Sequence, residues 1–202
     1  MNRLITLRKR RALGLASLAG ALLTWLSPLQ AASVLDASVG GSSFAAQFTG
    51  AAPQIRQSGA EYQLGFVLRP DDNPKFRQYH AQFLVTGDAG ADGFDLRAGL
   101  GGRLVYLDLG PADGLVLAFG GEARAKLPGA DRFSLGVQGY IAPSVTAFSD
   151  LDGYRQVSAD IAYEIIRGGA IYVGARHIRY SFENARSNTV DGGAHVGLRL
   201  TF

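Results

Sequence analysis

The chain has no cysteine among its 202 residues. That excludes a disulfide framework, a thiol nucleophile and thiolate metal sites. Long apolar runs are missing after Leu26, where no stretch approaches the roughly 20 residues a spanning helix needs. Helical periodicity is missing over the same region. If the chain crosses a membrane it must do so as a closed sheet, because open strand edges cannot be satisfied in lipid. There is no Gly-x-Ser-x-Gly elbow, no P-loop and no nucleotide fingerprint. The three histidines, His80, His177 and His195, are not spaced as a metal pair. No metal and no cofactor is expected. Glycine is abundant, at 27 residues, but it is scattered and without a collagen-like period.

What is present begins with an export signal. Arg3, Arg8, Lys9, Arg10 and Arg11 precede an uncharged apolar run, Ala12 to Leu26, and then Ser27-Pro28-Leu29-Gln30-Ala31-Ala32. This is the order of a secretory signal peptide, and the run is short for a membrane anchor. The expected division is a Sec-type signal over residues 1–31, cleaved after Ala31 or Ala32, and one domain over 32–202. Removing the signal leaves 15 basic against 17 acidic residues, a net charge of −2. The basic balance of the whole chain is therefore no sign of nucleic-acid binding, which wants a basic patch on the folded domain.

From Ser33 onward the pattern is two-periodic. Tyr79, Ala81, Phe83 and Val85 alternate with Gln78, His80, Gln82 and Leu84; the last nine residues, Ala194 to Phe202, alternate to a terminal Phe. Turn clusters separate such segments at Pro70 to Pro74, Gly87 to Gly93, Gly110 to Gly114, Pro128 to Asp131, Pro143 to Gly153, Arg167 to Gly169 and Glu183 to Asp191. Nine clear strands and a short, poorly patterned one at Val34 to Val39 make ten. The predicted fold is an all-β transmembrane antiparallel up-and-down barrel of ten strands, with eight as the alternative. A soluble periplasmic β-sandwich is the competing fold. Phe94, Phe133, Tyr163 and Phe202 are expected near one rim, as an aromatic girdle at the periplasmic interface. Phe202 is also the expected assembly signal. Past His177 the apolar character moves to Ile178, Tyr180 and Phe182, which predicts a bulge or an exit from the membrane.

The alternate face predicts the interior. It should carry Glu61, His80, Asp95, Arg97, Arg103, Glu122, Arg124, Lys126, Asp160, Glu164, Arg176, His195 and Arg199. A small barrel's lumen is just wide enough for side chains to fill, so acids and bases should pair across it. Counting outward from the Arg167 to Gly169 turn puts Asp160 beside Arg176 and Glu164 beside Tyr172. Gly99-Leu100-Gly101-Gly102 falls in mid-strand, where glycine permits bending of a barrel wall.

The expected role is structural or surface-interacting, with no catalytic site. A narrow channel for small solutes or ions is the alternative. A lipid-modifying rim enzyme is the third reading, through His177, Ser181 and Glu183. It lacks the compact His-x-Ser motif of lipid A deacylase barrels, and a nucleophile needs its base within hydrogen-bond reach. Expected partners are outer-membrane lipid and lipopolysaccharide, with the barrel-assembly machinery and periplasmic chaperones during biogenesis; a monomer and no nucleic acid are expected.

Several stretches together carry a family likeness. They are Phe119-Gly120-Gly121 with its Leu127-Pro128-Gly129 turn, the strand from Phe133 to Pro143, Ala175-Arg176-His177-Ile178-Arg179-Tyr180, Asp191-Gly192, and Val196-Gly197-Leu198-Arg199-Leu200-Thr201-Phe202. On these the chain resembles the YfaZ-type family of small outer-membrane proteins. The resemblance implies an outer-membrane barrel and supplies no activity or site residue.

Overall fold

Strand formation follows directly from the alternation, because a period of two is satisfied only by extended backbone. The computed structural model describes residues 33–52, 59–72, 75–90, 95–110, 113–149, 151–182 and 185–202, with the backbone alone over 185–191. The expected signal segment, its cleavage site, Phe94 and Glu183 lie outside the described residues. The strands are β1 Val34–Gly40, β2 Ser43–Ala51, β3 Ala60–Arg69, β4 Phe76–Asp88, β5 Leu96–Asp108, β6 Asp113–Leu127, β7 Ala130–Ala142, β8 Ala147–Ser149, β9 Leu151–Ile166, β10 Gly169–Phe182 and β11 Ala185–Thr201.

Every pairing is antiparallel and each wall strand pairs with the next wall strand; β1 pairs with β11 and β5 with β6, so the sheet closes. Ten strands form the wall. The eleventh, β8, is a short piece beyond Pro143 that pairs with β6 over Gly114–Val116, where β7 has already ended. Proline cannot donate to the ladder, so β7 stops there. The N-terminal strand takes part fully: Asp36 lies opposite Arg199 on β11 and Gln47 on β2. At the seam Ser33 and Phe202 exchange both backbone hydrogen bonds, at 2.8 and 2.9 Å. We call the rim holding Ser33 and Phe202 the terminal rim. Its tight turns, Pro128-Gly129 and Arg167-Gly168, each place glycine at positive φ, 75° and 76°.

The apolar set points outward. Leu64, Val85, Leu100, Val137, Ile161, Val173 and Leu198 are all exposed. Phe133 and Tyr163 are cross-strand partners near the terminal rim, with ring centroids 4.9 Å apart, and Phe202 is exposed there. Near the other rim Phe66, Tyr79 and Tyr106 form an outward row. A lipid-facing band flanked by aromatic girdles is the construction of a membrane-spanning barrel.

Three sequence expectations are corrected. Asp160 lies opposite Gly174 rather than Arg176, and Glu164 opposite Ala170 rather than Tyr172. The loop is the two residues Arg167-Gly168, and a bulge beside it shifts the register between Gly169 and Ala170 by one residue. Strand β10 does not change phase: Ile178 and Tyr180 continue its inward series against β9. The irregularity at that level lies instead in the pairing of β10 with β11, between Ile178 and Arg179. Finally, the stretch from Ala185 to Asp191 is backbone of β11 and not loop.

Candidate functional site

The inward face divides into a solid half and a hollow half. Away from the terminal rim, Phe76, Val105, Leu107, Val116, Leu151, Tyr154, Ile178 and Tyr180 form one buried cluster. Tyr180 is the centre of its aromatic part, 5.1 Å from the Tyr154 ring and 6.3 Å from Phe76. Its hydroxyl donates to Gln78 Oε1 at 2.9 Å, and the Tyr154 hydroxyl donates to Gln156 Oε1. These two buried hydroxyls are thus partnered within the plug, while Gln78 Nε2 has no hydrogen-bond partner among the described residues.

Arg103 is the floor of that plug and is fully buried. Its guanidinium lies 3.8 Å from the centre of the Tyr140 ring. Nε donates to Gln82 Oε1, and Nη2 to Gln138 Oε1 at 3.2 Å. Among the described residues it makes no ion pair; an aromatic face and two amide oxygens hold the charge instead.

The other half is a cavity of about 620 Å³. Its lining runs from Gly168, Arg132 and Thr201 at the terminal rim to His80, Gln138 and Gln156 below the plug. Glu61, His80, Arg97, Glu122, Arg124, Lys126, Asp160, Glu164, Arg176, His195 and Arg199 line it, whereas Arg103 lies above it and Asp95 sits on the rim. Asp160 is the hub of one group. It accepts from Arg124 Nη1 at 3.1 Å and from Arg199 Nη1 at 3.2 Å. Arg124 reaches it across Gly136, the residue opposite both, where a Cβ would collide with Asp160 Oδ2. Arg199 also pairs with Asp36 at 2.9 Å, and the Tyr172 hydroxyl donates to Asp36. A second group joins Arg97 to Glu61 and Gln63 Nε2 to Glu122 Oε1, the latter at 2.8 Å. His80 Nε2 lies 3.3 Å from Gln47 Oε1, and Arg176 Nη2 donates to Ser43 Oγ at 3.3 Å.

Asp36 is a member of the network that the strand patterns did not single out, and Tyr172 joins the network through Asp36 rather than beside Glu164. The signal for Asp36 was present in Leu35 and Val39, both outward, with Asp36 and Ser38 between them. The pattern is blurred by the small Ala37.

Of the residues of the rim-enzyme reading, His177 and Ser181 do not face the lumen, and Glu183 lies outside the described residues. His177 is exposed and Ser181 shares its outward side of β10. Four residues along one strand separate them by about 13 Å. Among the described residues no group of three or more His, Cys, Asp or Glu is placed to hold a metal ion.

Among solved structures, the chain is similar to the outer membrane channel DcaP of Acinetobacter baumannii, with 11% identity and a TM-score of 0.41, over 88% of this chain and 60% of that one. It is similar to a KdgM porin in complex with disordered oligogalacturonate, with 9% identity and a TM-score of 0.42, over 85% of this chain and 99% of that one. The NanC porin matches with 12% identity and a TM-score of 0.42, over 85% and 100%. The chain therefore spans less than two thirds of the DcaP length. No curated protein matches it. One family model does match, described as YfaZ precursor, over residues 65–202, and the chain belongs to that family.

Proposed function

We propose that this protein is an exported outer-membrane β-barrel whose lumen is closed, and that its role is structural or surface-interacting rather than that of an open pore. The termini, and with them the mouth of the cavity, face the periplasm; the plugged end faces out. The observation that carries the reading is the plug itself, in which Leu107, Val116, Ile178, Tyr180 and Arg103 are each 0% exposed. Interior atoms packed to that degree close the described part of the lumen to water and ions. The alternation and girdles support the membrane placement. The barrel is expected to act without a bound cofactor and without catalysis.

The test is planar-bilayer conductance of the purified, refolded chain. A silent bilayer over a protein that still shows a heat-dependent gel shift is the expected result. Steady single-channel steps would overturn the closed-lumen reading and favour the second one, a narrow channel. That alternative is supported by the cavity of about 620 Å³ on the terminal-rim side and the charged side chains that line it.

A further inference from the structure

Where the plug meets the cavity, two charges of opposite sign each lack a counter-ion. Arg103 is fully buried, held by the face of Tyr140 and by the amide oxygens of Gln82 and Gln138. Glu122 lines the cavity and accepts from Gln63 Nε2 at 2.8 Å; among the described residues it makes no ion pair. The amides on the two charges are neighbours. Gln63 lies directly opposite Gln82, and Gln138 directly opposite Glu122. Cross-strand partners on one face stand about 5 Å apart, so both charges belong to one small region. On each, a neutral amide occupies the place of a counter-ion.

The hydrogen-bonding capacity left over divides the same way. On the Arg103 side, Nη1 and Gln82 Nε2 are buried donors without a partner, and the Tyr140 hydroxyl is without one too. On the Glu122 side, Gln63 Oε1 is a buried acceptor without a partner. His80, diagonal to Gln63 across β3 and β4, adds a second acceptor. Its Nε2 lies on the amide oxygen of Gln47 and so carries the proton, which leaves the unpartnered Nδ1 to accept. Buried polar groups in native proteins are normally partnered. Open donors gather at the cation and open acceptors at the carboxylate, so this region has a positive pole and a negative one.

We infer that the floor of the cavity binds a small zwitterion, with an ammonium on Glu122 and a carboxylate on Arg103, the two groups a free α-amino acid carries. An anion alone meets Glu122, and a cation alone meets Arg103. A ligand bearing both charges head to tail is drawn by both poles. Glu122, Gln63 and His80 line the cavity, so an ammonium entering it finds its acceptors there. Gln138 also lines the cavity and covers Arg103 on that side, 3.2 Å from Nη2. The carboxylate displaces that amide oxygen and takes Nη2 and the open Nη1 as a fork, because a charged acceptor bonds a guanidinium more strongly than a neutral one. A cavity of about 620 Å³ leaves room for a side chain beside the two charged groups. The site goes beyond the closed-lumen reading and does not rest on it.

Ligand retention decides it. The refolded full chain in detergent is dialysed to equilibrium against a mixture of glycine, L-alanine, L-serine, L-glutamine and L-leucine, and the retained compounds are quantified. Parallel dialyses use their N-acetyl derivatives, which keep only the carboxylate, and their amides, which keep only the ammonium. At least one of the free amino acids should be retained, and both of its derivatives about tenfold less. E122Q should lower retention about tenfold, and R77Q, whose side chain does not line the cavity, should leave it unchanged. Retention of none of the five, equal retention of either derivative, or an unchanged E122Q would each overturn the site. If E122Q loses its heat-dependent gel shift, Q138A decides. With the competing amide gone, retention should rise about threefold, and no rise would overturn the site. Conductance on the same preparations reads the closed lumen separately, so either conclusion can fall alone.

Discussion

The two halves of the lumen share one wall and one alternation, yet only one half is solid. Strand β5 shows the difference along its own length. Val105 and Leu107 are fully buried in the plug, Gly99 and Gly101 contribute no side chain, and Arg97 stands in the open half with its guanidinium on Glu61. The backbone does not decide which half closes; the inward side chains do. Aliphatic and aromatic groups can pack to the density of a protein interior, whereas carboxylates and guanidiniums keep solvent unless each is fully paired. The plug should therefore carry the stability of the interior, and the ion pairs of the open half should carry much less.

Truncating the plug is the largest way to sharpen that contrast. Tyr180→Ala removes a fully buried ring between Tyr154 and Phe76, together with its bond to Gln78. The expected cost is about 3–5 kcal/mol, the range for deleting a buried aromatic. Urea unfolding of the barrel refolded into vesicles would measure it. A loss below about 1 kcal/mol would mean that the solid half is not the stabilising one.

The next effect belongs to the hub of the open half. Asp160→Asn leaves Arg124 without its carboxylate, while Arg199 keeps Asp36. The side chains of Arg124 and Asp160 are 38% and 15% exposed, so water softens the loss. The expected cost is about 1–2 kcal/mol, between a surface pair and a buried one. Gly136→Ala should reach the same pair from the other direction, because a Cβ there strikes the carboxylate and comes within 2.7 Å of Arg124 Nη2. The two changes act on one interaction, so the double variant should cost little more than either alone. Additive losses in the same vesicle titration would show that Gly136 matters for some reason other than the bridge over it.

How far the sequence could be read follows the same division. In the hollow half, polar and apolar residues alternate cleanly, and each strand's two faces can be told apart residue by residue, as in the run from His195 to Phe202. In the plug both faces are apolar, so alternation falls silent where the lumen is packed. Ile178 and Tyr180 therefore look like a strand turned inside out, when they are inward residues of an unbroken series. Register was less legible than facing. The two-residue loop and the bulge beside Gly169 together move the partner of Asp160 from Arg176 to Gly174, and nothing in the turn residues announces the bulge. The partner that Asp160 does find, Arg124, lies two strands away across a glycine, a relation that hairpin counting cannot reach.

The smallest expected effect lies at the mouth. Lys126 and Asp95 are 3.1 Å apart, and their side chains are 55% and 61% exposed. Bulk water screens such a pair, and holding a long lysine in one geometry offsets what remains, so Lys126→Gln should cost less than about 0.5 kcal/mol. Half-molar salt should remove most of that difference, since charges in open solvent are screened within a few ångströms. Arg199 and Asp36, with side chains 17% and 19% exposed, should respond to salt far less. If Lys126→Gln instead cost as much as Asp160→Asn, and salt left both losses unchanged, the mouth would be as dry as the hub, and the open half would be a second packed core rather than a water-filled one.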